Sequence, residues 1–390
     1  MRFKEKNGVL EIYLEGRIDS QNAAEFEAEI MDAMDSHPSM DLLVDATDLA
    51  YISSAGLRAL IKVRKRIGKP LRIREVSPEI YEIFETTGFT ELFQVERKMR
   101  RVSVEGCEVL GEGFYGTVYR LDPETIIKVY NSPFALDLIQ NEKKMARAAF
   151  ISGIPTAISY DIVRVGDHYG AVFELLDCRS FNDIIMDEPE KKEELLQQYV
   201  AFLKQIHDTV MKPGTAPSAK QRFLDYVDVI RESLPDDIYH KLKKILETIP
   251  ESDHVIHGDY HMKNVMLQNG EPMLIDMDNI SLGHPIFDLQ ALYVTYKAFE
   301  EDDPGNSEAF LGMSSELTDF IWKRIKELYF ETTDPEVLEK KEEQIRVVAG
   351  IRFMYLLVVS GMKDTELGKL RIKHTVEHFR ELLDKLETLV

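Results

Sequence analysis

Apolar and polar positions follow two different rhythms along this chain. Over the first hundred residues, short apolar runs take turns with stripes of helical period. Residues 9–14 alternate as a half-buried strand does, and Ala23, Phe26, Ile30 and Met34 then recur on one face of a helix. Residues 41–44 form a second apolar run. Leu57, Leu60, Ile61 and Val63 mark a helix capped by Ser54 or a neighbour, followed by a strand over 71–74 and a helix over 77–86. Strands alternating with helices predict a small α/β domain over residues 1–98.

The charged segment 96–101 breaks this periodicity and sets a domain boundary. Beyond it, residues 108–110, 125–130 and 169–175 read as strands around a helix over 135–150. From residue 193 helical stripes dominate: 193–208, with Leu195, Tyr199, Phe202, Leu203 and Ile206 inward, then 223–232 and 237–248, and nearly everything after 286, including 315–329, 335–362 and 370–389. Val265-Met266-Leu267 and Pro272-Met273-Leu274-Ile275 flank Asn269-Gly270 and predict a hairpin. The second domain, 104–390, is therefore expected to be α+β and bilobal, with a strand-rich lobe over 104–176 and a helical lobe over 177–390.

A chain of 390 residues has room for two or three cores, and 44% apolar with 30% charged residues is a globular composition. The net charge of -21 argues against a general nucleic-acid or anionic-membrane binder. The opening MRFKEKNG lacks the apolar core of a signal peptide, and Arg346 and Arg352 interrupt the apolar stretch 345–362, which reads as a buried helix. Two cysteines, Cys107 and Cys178, give neither a disulfide framework nor a metal spacing. A cytoplasmic protein without nucleic-acid or membrane partners is expected.

Candidate chemistry gathers between residues 254 and 278. His257-Gly258-Asp259 is followed by Asn264 and, past the hairpin, by Asp276 and Asp278. Phosphoryl transfer from ATP needs a carboxylate beside the acceptor hydroxyl, and an amide and a further carboxylate to hold Mg²⁺ on the phosphates. Upstream, Gly111, Gly113 and Gly116 stand between two strands with Val118 just after them, and Lys128 lies in the next strand. Such glycines let a strand-turn-strand approach phosphates, whereas a dinucleotide-binding unit would open a helix there. Glu142 is the best-placed acid to pair with Lys128, and Asp137 competes. The segment from Glu174 to Asp177 joins the lobes and offers backbone groups to an adenine. His257 and His261 have the i, i+4 spacing of a metal pair, but Gly258 opposes a helix there and no third ligand follows at useful spacing. Glu300-Glu301-Asp302-Asp303 reads as a solvated loop, with attraction of a cationic acceptor as the alternative.

Two resemblances sharpen this. Around Leu49-Ala50-Tyr51-Ile52-Ser53-Ser54-Ala55-Gly56-Leu57, with Gly16-Arg17-Ile18-Asp19 and Asp45, residues 3–96 resemble the STAS family of anti-sigma-factor antagonists. The resemblance implies a serine phosphorylated by a partner kinase, here Ser54, and a protein partner. This chain departs from the family at Ser53 and Ala55, where Asp and Ser or Thr are frequent. A helix start suits a phosphate, and it equally suits a plain N-cap. Arg58, Lys62 and Lys65 form a basic stripe on the same helix, read as a solvated face or a docking face for an acidic surface.

Residues 105 to about 300 resemble the aminoglycoside phosphotransferase and choline kinase family, relatives of the protein kinases. The Gly-rich loop, Lys128, Glu142, the run from His257 to Asn264, Asp276, Asp278 and the segment from Gly283 to Leu289 carry the likeness. It implies a protein-kinase-like fold, ATP and Mg²⁺ as cofactors, Asp259 as catalytic base, and Asn264 and Asp276 as metal ligands assisted by Asp278. Asp288 is expected to brace the catalytic loop. HGD in place of HRD, with no APE-like segment, favours a small-molecule acceptor over a protein. A protein serine kinase and a nucleotide-binding scaffold without turnover are the alternative readings.

Overall fold

The computed structural model describes all residues except Asn7, Phe114, Tyr115, Pro133 and Phe134. The chain divides into two compact units, one of residues 1–103 with 162–166, the other of 104–161 with 167–390.

The first unit is one five-stranded sheet in sequential order, β1 (Arg2–Lys6), β2 (Val9–Ile18), β3 (Asp41–Ile52), β4 (Arg72–Val76) and β5 (Gln94–Arg97). β1 joins antiparallel and the other neighbours pair parallel. Parallel neighbours need crossovers, supplied by α1 (Ala23–Ser36), α2 (Ser54–Ile67), and α3 (Pro78–Thr86) with α4 (Phe89–Leu92). Right-handed crossovers stepping in one direction put these helices on one face, where Leu10, Ile12, Val44, Leu60 and Val63 form the core. β1 and β5 went unpredicted, because β1 is exposed throughout and β5 has no buried position. The cap of α2 is Ser53, whose hydroxyl accepts from the Gly56 N–H at 3.4 Å. Ser54 is therefore the exposed first residue of the helix and not its cap.

In the second unit, strands in the order β6 (Val109–Glu112), β7 (Gly116–Arg120), β8 (Thr125–Tyr130) and β10 (His168–Glu174) accompany α5 (Leu136–Ile151), while β9 (Asp161–Val165), almost all of it in the first unit, precedes β10 in the chain. The chain then passes through Glu174 to Asp177 into β11 (Arg179–Ser180), α6 (Phe181–Asp187) and the helices α7 (Lys192–Asp208), α8 (Ala219–Val229) and α9 (Asp236–Glu247). The short strands β12 (Val255–Ile256), β13 (Val265–Gln268), β14 (Glu271–Leu274) and β15 (Ser281–Leu282) carry the candidate chemistry. β13 and β14 pair as the expected hairpin, with Asn269 at φ 52° and Gly270 at φ 85° as a type I′ turn requires. α10 (Ile286–Tyr293), α11 (Phe299–Glu301), α12 (Asn306–Leu311), α13 (Ser315–Phe330), α14 (Pro335–Val359) and α15 (Glu366–Lys385) complete the helical part. One apolar core runs from Met145 on α5 to Leu389 near the end of the chain.

The acidic run 300–303 is not the solvated loop the sequence suggested. Glu300 accepts from the Gly305 and Ser307 N–H groups and the Ser315 hydroxyl; Glu301 pairs with His378 at 3.1 Å, Asp302 with His374 at 2.5 Å, and Asp303 with the buried Arg371 at 3.4 Å. Glu301, Asp302 and Asp303 fasten α11 and the turn after it to α15, while Glu300 holds that turn and the starts of α12 and α13. Among the described residues no helix is long and apolar enough to cross a membrane.

Candidate active site

The strand-rich part contributes one cation and one acid. Lys128 sits on β8 directly across from Val118 on β7, so both point to the same face of the sheet. The Gly113 N–H donates to the Gly116 carbonyl at 2.9 Å and closes the Gly-rich turn, whose tip, Phe114 and Tyr115, lies outside the described residues. Gly116 is forced by packing: a Cβ there would stand 2.2 Å from the Val129 carbonyl oxygen. Among the described residues, a Cβ at Gly111 meets nothing within 4 Å and one at Gly113 only a backbone oxygen at 3.8 Å. Glu174 ends β10 with its side chain exposed, and the Leu175 N–H after it bonds to Glu124 O at 2.7 Å.

Lys128 lies between two acids. It ion-pairs closely with Asp276 and stands 3.8 Å from Glu142, so the expected partner is the more distant of the two. Glu142, buried on α5, also accepts from the Tyr130 hydroxyl at 2.6 Å. Asp137 takes no part in this cluster. Burial opposes the Lys128 charge, but Asp276 and Glu142 outweigh it and hold its pKa above the ordinary value. Burial pushes Glu142 upward against the pull of Lys128 and Tyr130. Asp278 is raised to about 7 by burial and by the neighbouring charges of Asp276 and Glu142. Asp276 has φ 58°, a left-handed backbone that Asp tolerates better than most residues and that costs on the order of 1 kcal/mol or more.

The loop before β13 is held from below. Both oxygens of the fully buried Asp288, in the first turn of α10, accept backbone N–H groups, from His257 at 2.9 Å and Gly258 at 2.5 Å. His207 on α7 lies 3.0 Å from the same carboxylate through Nε2 and 2.7 Å from the Tyr329 hydroxyl through Nδ1. A carboxylate only accepts, so Nε2 carries a proton toward Asp288. His257 uses both ring nitrogens, with Nε2 3.2 Å from Ile275 O and Nδ1 accepting the Asp259 N–H at 3.3 Å. It ties the loop to the Asp276 segment and has no nitrogen left for a metal. Gly258 is at φ 84°, and a Cβ there would meet the Asn279 carbonyl at 2.7 Å. Asp259 emerges from this support partly exposed. The Asn264 side-chain amide donates to its carbonyl at 3.0 Å and reaches its carboxylate at 3.5 Å. His261 Nε2 stands 3.7 Å from that carboxylate.

Sequence reasoning missed His207, Tyr329 and Arg222, which donates to the carbonyls of Asn279 and Ile280. Only His207 left a trace, as a polar residue one turn beyond Leu203 on the buried stripe of α7. Among the described residues no three His, Cys, Asp or Glu side chains converge as a ready metal group. A divalent cation here would depend on Asp276, Asp278, the Asn264 amide and oxygens brought by a ligand. The gathering of Glu142, Asp276 and Asp278 around Lys128, with Asp278 raised by burial and by its acidic neighbours, fits such an ion.

A strand-rich sheet carrying a lysine, a helix with its acid partner and a braced Asp loop before an Asp-bearing hairpin define a phosphotransferase of kinase-like fold. The chain belongs to the phosphotransferase enzyme family known as APH, whose model matches residues 106–328, more than half of its length. Residues 1–102 match the STAS domain model. This part is similar to a candidate anti-sigma factor antagonist, BtrV of Bordetella bronchiseptica, with 36% identity over 92 residues, 23% of this chain and 78% of that protein. Among solved structures, a thermostable mutant of aminoglycoside phosphotransferase APH(4)-Ia in its apo form is similar at 15% identity and a TM-score of 0.50, over 71% of this chain and 97% of that one. A thermostable mutant of the same enzyme in ternary complex with ADP and hygromycin B is similar at 16% identity and a TM-score of 0.50, over 70% and 93%. This likeness is one of fold. Family and fold together make the protein a kinase acting on a hydroxyl acceptor.

Proposed function

We propose that the second domain, residues 104–390, transfers the γ-phosphate of ATP to a hydroxyl of a small molecule with the help of Mg²⁺. The convergence of Lys128, Glu142, Asp276 and Asp278 beside the braced loop that presents Asp259 carries this reading. Gly111, Gly113, Gly116 and Val118 cover the nucleotide, and the backbone from Glu174 onward receives its base. Lys128, steadied by Glu142, turns from Asp276 to the phosphates. Asn264 and Asp276 would hold the metal ion with Asp278 in support, and such an ion would supply neutralisation of phosphate charge. Asp259 accepts the proton of the acceptor hydroxyl. The similar enzyme solved with ADP and hygromycin B supports a nucleotide with a small-molecule acceptor.

The first domain, residues 1–98, serves regulation or partner recruitment, as its likeness to an anti-sigma factor antagonist suggests. Ser54 is its phosphate-accepting position. The motivating observation is that Ser53 already caps α2, which leaves the exposed Ser54 hydroxyl unused by the cap. Phosphopeptide mass spectrometry that finds Ser54 unmodified in cells would refute this. We place the protein in the cytoplasm.

The decisive experiment is Asp259→Asn. ATP titration is expected to give near wild-type affinity while transfer falls at least a hundredfold, since the carboxylate serves the acceptor and not the phosphates. More than a tenth of wild-type turnover would sink the assignment.

A further inference from the structure

We propose that His261 is a positioning residue for Asp259: its Nε2–H, together with the Asn264 amide, occupies one oxygen of the catalytic carboxylate and leaves the other to take the acceptor's proton. This rests on the phosphoryl-transfer reading above and deepens it. Oδ2 of Asp259 is the oxygen that both neighbours face, with Asn264 Nδ2 at 3.5 Å and His261 Nε2 at 3.7 Å. Among the described residues Oδ1 accepts no hydrogen bond, and the carboxylate side chain is 39% exposed. One oxygen therefore meets donors, and the other is left for a hydroxyl. At 3.7 Å the imidazole stands just beyond hydrogen-bond reach, and catalytic contacts of this kind commonly tighten only once the reactants are bound.

The imidazole has a fixed place. His261 is buried, and the residues on either side of it are fastened to helices. Tyr260 packs on Tyr199 of α7 with ring centroids 4.6 Å apart and donates its hydroxyl to the Tyr199 carbonyl at 2.8 Å. Met262 donates its N–H to the Tyr296 hydroxyl at 3.4 Å, and its carbonyl accepts the Asn182 N–H of α6 at 3.3 Å. Phe310 of α12 meets the His261 ring edge to face at 5.7 Å between centroids. The proton's position follows from the partners. A carboxylate only accepts, so Nε2 carries hydrogen where it faces Asp259. Nδ1 is buried and has no hydrogen-bond partner among the described residues. A second proton there would be an unpaired donor on a buried cation, so the neutral Nε2–H form is the one that fits. A neutral donor orients the carboxylate while taking less of its basicity than a cation in the same place would. An orientation fixed beforehand spares the transition state the cost of freezing it.

The test uses the full chain with MgATP and water as the acceptor, with ADP release measured by a coupled assay and nucleotide affinity by calorimetry. His261→Leu is expected to lower kcat about tenfold or more, while the KM for ATP and the calorimetric affinity stay within about twofold. In His261→Gln the side-chain amide reaches the place of Nε2 with a donor, and kcat is expected to stay within about threefold of wild type. Introduced into Asp259→Asn, His261→Leu is expected to cost nothing further, because it acts through Asp259. Long-range nitrogen–proton NMR of the wild-type chain, with the His261 signals assigned by their loss in His261→Gln, is expected to show the proton on Nε2; this arm stands even where a variant fails to fold. A proton on Nδ1, a wild-type kcat in His261→Leu, an equal loss in His261→Gln, or additive losses in the double variant overturns this inference alone. A chain that does not turn over MgATP, or whose Asp259→Asn variant turns it over as wild type does, sinks the phosphoryl-transfer reading and this inference with it.

Discussion

Asp276 combines a charge that the chemistry needs with a backbone conformation that few side chains accept. At φ 58° it turns the chain out of β14 so that its carboxylate meets Lys128. Asn tolerates the same left-handed backbone, so Asp276→Asn removes charge while leaving the fold undisturbed, which an alanine would not. The variant is expected to melt within a few degrees of wild type and to bind MgATP at least tenfold more weakly, about 1.4 kcal/mol. Calorimetry with and without Mg²⁺ checks this: wild-type affinity with intact Mg²⁺ dependence would remove Asp276 from the ligand set. Lys128, Asp259, Asn264 and Asp276 were legible as residue types at telling spacings. Of their supports, Asp288 was expected as a brace through the family resemblance, and it accepts the His257 and Gly258 N–H groups; Arg222 was not foreseen, because it acts on backbone carbonyls and such bonds leave no pattern in side-chain identity.

At the level of elements, the catalytic loop is a short irregular segment whose shape is borrowed from three helices. Asp288 of α10 satisfies two buried N–H groups, and His207 of α7 and Tyr329 of α13 hold Asp288 in turn. Asp288→Ala would leave a buried imidazole and two amides without their acceptor, and it is expected to cost roughly 3–5 kcal/mol. Urea denaturation measures it, and a loss below about 1 kcal/mol would contradict the bracing role. The contacts of Glu300 with the turn after α11 and the start of α13 make a second expectation, this time of pH. The Gly305 N–H, the Ser315 hydroxyl and the Ser307 N–H lower the Glu300 pKa to about 2. A depressed carboxylate stabilises the fold fully above its unfolded pKa, and that contribution fades as pH falls from about 4.3 toward the folded value. Between pH 5 and pH 3 wild type is therefore expected to lose stability more steeply than Glu300→Gln, read as melting temperature against pH; parallel curves would refute it. The hairpin was readable from Asn269-Gly270 because turn chemistry is local. The pairing of residues 301–303 was not, since its partners at 371, 374 and 378 lie some seventy positions away.

Across the whole molecule, two separate apolar cores account for the two rhythms of the sequence. One spans Leu10 to Phe93 and the other Met145 to Leu389. Period-two runs alternating with period-3.6 stripes were enough to read the first as α/β, and the long helical stripes were enough to read the second as helix-rich. The order of strands and the packing of helices depend on contacts between distant segments, which periodicity does not encode. The bracing chain from Tyr329 through His207 to Asp288 bears on how the enzyme can be cut down in the laboratory. The family match ends at residue 328, one position short of the phenol that orients His207. A fragment ending there would also lose α14, which packs on α10 and α8, and the Leu389 N–H that reaches Thr248 at 3.4 Å. A fragment of residues 104–328 is accordingly expected to be insoluble or molten, with weak near-ultraviolet circular dichroism, while 104–390 gives a cooperative melt. The recognisable family segment is thus shorter than the smallest piece of chain able to hold the catalytic loop in shape.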